Sequence, residues 1–349
     1  MRQVLFRTDA SVSIGSGHVM RCLALAEALR TRGWTAVFAC GTDPGHLCDL
    51  IEKRGFPVVR LTGGTDGGDT TADAEETGVV LDRIRADWLV VDHYRLDATW
   101  EGAVRTHVPH LLAIDDLANR RHVCDLLVDQ SLVADASVRY DGLVPPDCMR
   151  LLGPGYALLR DEFRIARRSM RRRAGAIGRV LVFFGGSDPT GETNKALDAI
   201  GTFAGSGIRF DVVVGISNPG REDIALRCSG MDGVAFHCQT DRIAALMAAA
   251  DLALGAGGTS TWERCCVGLP AVIVTVADNQ RTIAASSAAA GFALHAGDAS
   301  HATAATYRDA LAWCTRHPGQ VAAMSRAAAT VCDGEGTQRV AESMERFRA

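Results

Sequence analysis

Residues 4–40, "VLFRTDASVSIGSGHVMRCLALAEALRTRGWTAVFAC", run from a short apolar stretch through a glycine-broken loop and an amphipathic helix into a second apolar stretch. Runs as short and as uniformly apolar as "VLFR" and "TAVFAC" suit parallel strands buried on both faces, and a helix between two of them is a βαβ unit. The pattern continues outward. "PVVRL", "WLVVD", "HLLAI" and "DLLVD" follow, and after residue 178 a second series begins with "RVLVFFGG", "RFDVVVG", "GVAFHC", "DLALGAGG" and "PAVIVTVA". The expected fold is α/β, with two Rossmann-like domains of parallel strands in tandem.

The bulk properties agree. A length of 349 residues, 47% apolar and 22% charged, accommodates two domains with real cores. The net charge of −4 argues against a nucleic-acid or anionic-membrane binder. Eleven cysteines, an odd number without a tight framework, read as reduced thiols. The N-terminus carries no signal-peptide pattern and no apolar run approaches membrane length, so a cytoplasmic protein without membrane insertion is expected. The boundaries expected are a first domain over 1–160, a linker over 161–178, a second domain over 179–335 and a last helix over 336–349. The linker "LRDEFRIARRSMRRRAGAIG" (159–178) reads as a helix with a solvated basic face, then a flexible joint near Gly175. "LTGGTDGGDTTAD" (61–73) is glycine-rich enough for a mobile loop, and residues 63–70 are candidates for a lid.

His18 stands where the first loop becomes helix. Residues 22, 25 and 29 project within about 40° of its direction, so the stripe His18, Cys22, Leu25, Leu29 points inward. Gly15 and Gly17 permit turns and the close approach of a ligand. The N–H groups of the first helical turn form an anion site, and the helix dipole there disfavours imidazolium. A neutral His18 beside an anion can take a proton from water, with Arg21 one turn on to reinforce both effects. The other reading is a histidine that only caps its loop and packs on the sheet. A dinucleotide fingerprint fails here: "GSGHVM" lacks the third glycine, and the second strand ends in Cys40 and Gly41 without a ribose-binding acid, which argues against NAD.

In the second half, "VLVFFGGSDPTGETNKAL" presents Gly185, Gly186 and Ser187 before a helix start with further N–H donors. "LALGAGGTSTWERCCVGLP" repeats this with Gly257, Gly258, Thr259 and Ser260. Glu263, one turn into the following helix, suits paired hydrogen bonds to a ribose diol. Asn279 and Gln280 begin another helix, either as a cap or as amides for sugar hydroxyls or N-acetyl groups. Asp92, His93 and Tyr94 end a strand and are expected to face the same crevice. No metal-ligand spacing is present, and Cys265–Cys266 reads as core filling, with a catalytic cysteine left open but unsupported locally.

Taken together, "RTDASVSIGSGHVMRCLALAEALRTRG", "VVDHY", "LLGPGYALLRDEF", "FFGGSDPTGETNKAL" and "GAGGTSTWERCCVGLPAVIVTVADNQ" resemble the UDP-2,4-diacetamido-2,4,6-trideoxy-β-L-altropyranose hydrolases of pseudaminic acid biosynthesis, over residues 2 to about 295. That family is similar to the N-acetylglucosaminyltransferase that makes lipid II. The resemblance implies a GT-B arrangement, two facing Rossmann-like domains with an interdomain cleft, whose last helix crosses back to the first domain. It implies a small-molecule UDP-sugar substrate, no cofactor, no metal, no nucleic-acid partner and a monomer. His18 corresponds to the family's general base, with Gly17 and Arg21 beside it. Tyr94, Arg160, Asn279 and Gln280 would contact the sugar end. Gly186, Ser187, Gly257, Gly258 and Thr259 would hold the diphosphate, Glu263 the ribose, and the turn around Thr240 the uracil. A UDP-sugar glycosyltransferase, or a hydrolase for another diacetamido sugar, remains the alternative.

Overall fold

The computed structural model describes residues 2–62 and 69–347. Residues 63–68, most of the expected lid, lie outside the described residues. The chain forms two units: residues 1–161 with 335–349, and residues 162–334. The first contains β1 (Gln3–Thr8), β2 (Thr35–Cys40), β3 (Val58–Arg60), β4 (Trp88–Asp92), β5 (His110–Ile114), β6 (Leu126–Asp129) and β7 (Met149–Leu152) in the order 3-2-1-4-5-6-7. The second contains β8 (Arg179–Phe183), β9 (Arg209–Val214), β10 (Val234–Cys238), β11 (Leu252–Ala256), β12 (Ala271–Thr275) and β13 (Ala293–Asp298) in the order 10-9-8-11-12-13. All the strand pairs run parallel. Each sheet therefore reverses its winding once, between β1 and β4 and between β8 and β11. At such switch points the loops at the strands' carboxyl ends diverge and leave a crevice for ligands.

Alternation along β1 explains its burial. Val4 and Phe6 pack with the Gly17–Thr31 helix, while Leu5 points to the other face with Leu81 and Trp100. Phe6 stacks on Phe38 of β2 at 4.9 Å. The Gly336–Arg346 helix joins this first core through Val340, Ala341 and Met344. Its start sits so close to the chain near Tyr156 that a Cβ on Gly336 would fall 2.4 Å from the Ala157 carbonyl oxygen. Only glycine fits there.

The basic run corrects two expectations. Arg173 is buried and donates five hydrogen bonds, to the carbonyls of Met247, Ala248, Ala250, Val267 and Gly268. Those oxygens close the Ile243–Ala249 and Ser260–Cys266 helices, whose last carbonyls have no partner within their own helix. Arg167 does the same for Cys266, Ala329 and Cys332, at the ends of the Ser260–Cys266 and Pro318–Val331 helices. A guanidinium at a helix C-terminus also opposes the dipole. Arg167 and Arg173 are thus structural, while Arg168, Arg171 and Arg172 are exposed as a solvated basic run would be. Gly175, expected as a joint, takes φ +96° in a packed turn, where a Cβ would lie 1.8 Å from the Pro318 carbonyl oxygen.

Beyond β5 and β6 lies a buried charged network. His122 Nδ1 is 2.7 Å from Glu101, its Nε2 is 3.8 Å from Asp115, and the Tyr140 hydroxyl donates to Asp115 and Asp129. Burial opposes protonation of His122, but the two carboxylates outweigh it and push the imidazole up to about 9.

Two outcomes are expected. Replacing Arg173 with Met strands five carbonyls, and urea unfolding should show a loss of about 3 kcal/mol. His122 binds its proton more tightly in the folded chain, so its stabilisation is complete below the unfolded value near 6.5 and disappears as pH rises through about 9. That alkaline decline should flatten in His122→Gln, and an unchanged pH–stability curve would contradict the ion-pair assignment.

Candidate active site

The loop after β1 folds on its own polar atoms. Ile14 N donates to Ser11 Oγ (3.0 Å), Gly15 N to the Ser11 carbonyl (2.9 Å), and Gly15 adopts φ +80°. Ser16 precedes the Gly17–Thr31 helix without giving it a side-chain cap. Gly17 is half-buried, and His18 is 5% exposed at the first turn, with Nδ1 buried and unpartnered among the described residues. Its ring meets that of Tyr94 edge-on at 4.6 Å, and Tyr94 follows directly from the carboxyl end of β4. His18 and Tyr94 thus meet at the switch point of the first sheet. Burial lowers the basicity of His18; Asp92 opposes that effect and Arg21 adds to it. The net result is a neutral imidazole near pH 7, with desolvation the largest cause.

Arg21, expected beside the anion site, is held by carboxylates of its own unit. It is 3% exposed, and its Nε and Nη2 donate to the two oxygens of Asp92, each at 2.6 Å, while Nη1 donates to Asp116 at 3.0 Å. Its Nε and both terminal nitrogens each reach a carboxylate. Asp92, expected to face the crevice, is buried under this clamp and also accepts from Cys22 Sγ at 3.6 Å. Burial disfavours its charged form, yet the guanidinium holds the carboxyl below the usual range.

A second buried cluster, not anticipated from sequence, lies beside it. Arg7 donates to Asp73 and pairs with Asp9 at 2.7 Å; Asp9 accepts from Gly41 N at 2.6 Å and lies 3.3 Å from His93 Nε2. Burial raises the Asp9 carboxyl, but Arg7 and His93 together bring it down to about 2. The signal was the charged "RTD" ending an otherwise apolar strand.

In the second unit both glycine turns lie at the switch point, at the ends of β8 and β11. Gly186 is half-buried and its carbonyl accepts from Gly215 N at 2.9 Å; a Cβ on Gly215 would stand 2.7 Å from Gly186 Cα. Ser187 is buried. The free donors expected at the following helix start are partly taken. Asp188, at φ +44°, accepts from Glu192 N (2.9 Å) and Thr193 N (2.8 Å). At the other turn Gly257 is buried, Gly258 half-buried, and Thr259 leads into the Ser260–Cys266 helix with no side-chain cap. Glu263 is half-buried in its first turn. Beneath this turn lies Arg264, which the sequence reading passed over. It is 3% exposed, donates to the Ala256 carbonyl (2.9 Å), Ser260 Oγ (3.1 Å) and Thr261 Oγ1 (2.9 Å), and is lowered to about 10 by burial.

Gln280 belongs with that turn, since a Cβ on Gly258 would come within 3.4 Å of its Nε2, and its Oε1 accepts from Val276 N at 3.3 Å. Asn279 is exposed beside it. Thr240 Oγ1 accepts from Arg242 N at 3.1 Å in a turn where Gln239 takes φ +49°. Arg160 is half-buried at the end of the first unit's continuous stretch. Cys265 and Cys266 are core residues. Among the described residues no group of three or more His, Cys, Asp or Glu side chains could hold a metal ion, and no helix is long and apolar enough to cross a membrane.

The lowered basicity of His18 is measurable by itself. The histidine Cε1–H resonance that vanishes in His18→Gln should titrate below 6.5. The unfolded chain binds that proton near 6.5 while the folded chain refuses it, so the stabilisation holds above 6.5 and is lost as pH falls toward the folded value. A resonance titrating at or above 6.5 would contradict the burial argument.

No family model matches the chain. Among solved structures, Acinetobacter baumannii MurG superposes with a TM-score of 0.66 at 14% identity, covering 99% of this chain and all of that one. The Neisseria meningitidis UDP-GlcNAc 2-epimerase bound to UDP-GlcNAc gives 0.61 at 13% identity, with 99% and 100% covered. The two Rossmann-like units thus match GT-B structures. Among curated proteins, the Campylobacter jejuni UDP-2,4-diacetamido-2,4,6-trideoxy-beta-L-altropyranose hydrolase is 33% identical over 162 residues, 46% of this chain and 53% of that protein. An uncharacterized Methanocaldococcus jannaschii protein is 24% identical over 280 residues, 78% of this chain and 56% of that protein. The chain spans about half the length of these two relatives. The Bacillus subtilis spore coat polysaccharide biosynthesis protein SpsG is 31% identical over 297 residues, 83% of this chain and 82% of that protein, and the chain belongs to its family.

Proposed function

We propose that the protein hydrolyses a UDP-linked diacetamido sugar, with UDP-2,4-diacetamido-2,4,6-trideoxy-β-L-altropyranose as the substrate suggested by the Campylobacter relative. The observation that carries the reading is His18: buried, neutral near pH 7, its Nδ1 without a partner among the described residues, and edge-on to Tyr94 at a switch point. In this reading the imidazole takes a proton from water as the water oxygen bonds to the anomeric carbon. The bond from that carbon to the phosphate oxygen breaks, its electrons leave with UDP, and the anomeric centre inverts. A base of this kind contributes about 10²–10⁴-fold.

The nucleotide falls to the second unit. Backbone donors at Gly257, Gly258 and Thr259, with Gly186 and the Ser187 hydroxyl, take the diphosphate; Glu263 takes the ribose diol, the Thr240 turn the uracil, and Asn279 with Gln280 the sugar amides. Donors fixed before reaction stabilise leaving-group charge without reorganising, and losing one costs about 3 kcal/mol. Two likenesses support a UDP grip: Staphylococcus aureus MnaA is known as a UDP co-structure and the Neisseria epimerase as a UDP-GlcNAc complex. A second reading is transfer to a sugar hydroxyl, favoured by the part the Bacillus relative plays in spore coat polysaccharide biosynthesis.

Proton NMR of the UDP-sugar with purified protein and no acceptor separates these. Hydrolysis predicts the inverted free sugar first, with UDP released stoichiometrically. His18→Gln should lose at least about 10²-fold in kcat while UDP affinity, read by calorimetry, stays near that of the parent. Turnover within a few-fold of the parent would remove His18 from the mechanism, and turnover only on adding a sugar acceptor would favour transfer.

A further inference from the structure

We propose that Arg21 is an electrostatic positioning residue that keeps the His18 imidazole uncharged by neutralising the Asp92 carboxylate, and that it is not a substrate ligand. What the neutral imidazole is for rests on the proposed hydrolysis; the charge relation does not.

The geometry is local to the first unit. His18, Arg21 and Cys22 stand at i, i+3 and i+4 on one helix, positions that share a face. Two of the three reach Asp92: Arg21 by two 2.6 Å bonds and Cys22 by its thiol. Tyr94, two residues beyond Asp92, touches the third, His18. A buried carboxylate is therefore held at one end of a patch whose other end is an imidazole. Left alone, such a carboxylate would recruit a proton onto the imidazole and form a buried ion pair.

Arg21 occupies the carboxylate instead. The strongest charged influences on His18 can be named, and the Tyr94 ring lies against it as well. Asp92 and Asp116 favour imidazolium; Arg21 and His93 disfavour it, as does burial. Cys22 keeps its proton, since burial and Asp92 both raise its thiol. One guanidinium against two carboxylates leaves a single net negative charge near His18, a field that desolvation overcomes. Without Arg21 there are two, and they act unopposed by it against the effect of burial.

The test is the His18 Cε1–H titration in the full-length protein without substrate, combined with a double-substitution cycle. Arg21→Met should raise the His18 midpoint by about one unit or more, Arg21→Lys should hold it near the parent, and Asp92→Asn should lower it. Arg21→Met with Asp92→Asn should return it close to the parent, a recovery that mere structural damage would not give. If Arg21→Met alone does not fold, the downward shift in Asp92→Asn and the recovery in the double variant still decide. An unmoved midpoint in Arg21→Met, as when Asp92 itself takes the proton, overturns the proposal, and so does an unmoved or raised midpoint in Asp92→Asn. The low-side limb of the kcat/KM pH profile should follow the NMR midpoint. A midpoint that moves while the limb stays still would remove His18 as the base and leave the role of Arg21 standing.

Discussion

The Arg21 guanidinium, clamped between Asp92 and Asp116, joins three segments that sequence keeps apart: the start of the Gly17–Thr31 helix, the end of β4 and the loop after β5. Each segment arrives at the carboxyl edge of a parallel sheet, where strand dipoles give no strong field and buried polar groups must find one another. Burying three charges is costly, and it succeeds because the carboxylate oxygens of Asp92 are met by paired donors. Removing one member leaves an uncompensated charge and costs about 3–5 kcal/mol. The clamp therefore ties the helix that carries His18 to the strand that leads into Tyr94.

Arginine solves a different problem in the second unit. Arg167 and Arg173 meet carbonyls, not carboxylates, and close the ends of three helices. Five N–H donors in a rigid plane can serve adjacent carbonyls from two helices, which a lysine ammonium with three donors could not. Arg173 does so at the expense of its own basicity, which burial lowers to about 10. Within the run from Arg164 to Arg173, Arg167 and Arg173 look like their exposed neighbours in sequence, because sequence lists the cations and hides the carbonyls these two meet.

The legible parts of the fold were those with a period. Eleven strands announced themselves as short apolar runs, and the inward stripe His18, Cys22, Leu25, Leu29 came directly from helical geometry. β7 and β13 did not. They are the last strands of their sheets, with Met149 exposed and His295 exposed in the middle of "ALHAGD", so they lack the uniform apolarity of a strand covered on both faces. At the sites, glycine turns and the seam histidine were visible because each is a local exception to composition. The partners of buried charges were not. Arg7 with Asp73 and Arg21 with Asp92 are 66 and 71 residues apart, and nothing local distinguishes them from surface ions.

The two switch points share a topology and differ in physics. At the first, charge is abundant and paired internally, beside a buried ring whose Nδ1 has no partner among the described residues. At the second, the turns are glycine and hydroxyl, and the nearby cation, Arg264, bonds a carbonyl and two hydroxyls instead of a carboxylate. A neutral base needs surroundings whose charges cancel, or its proton affinity drifts with them. An anion needs fixed donors and an uncancelled positive field. The first switch point is thus built on buried ion pairs, and the second on glycine turns whose following helix start is partly capped by Asp188.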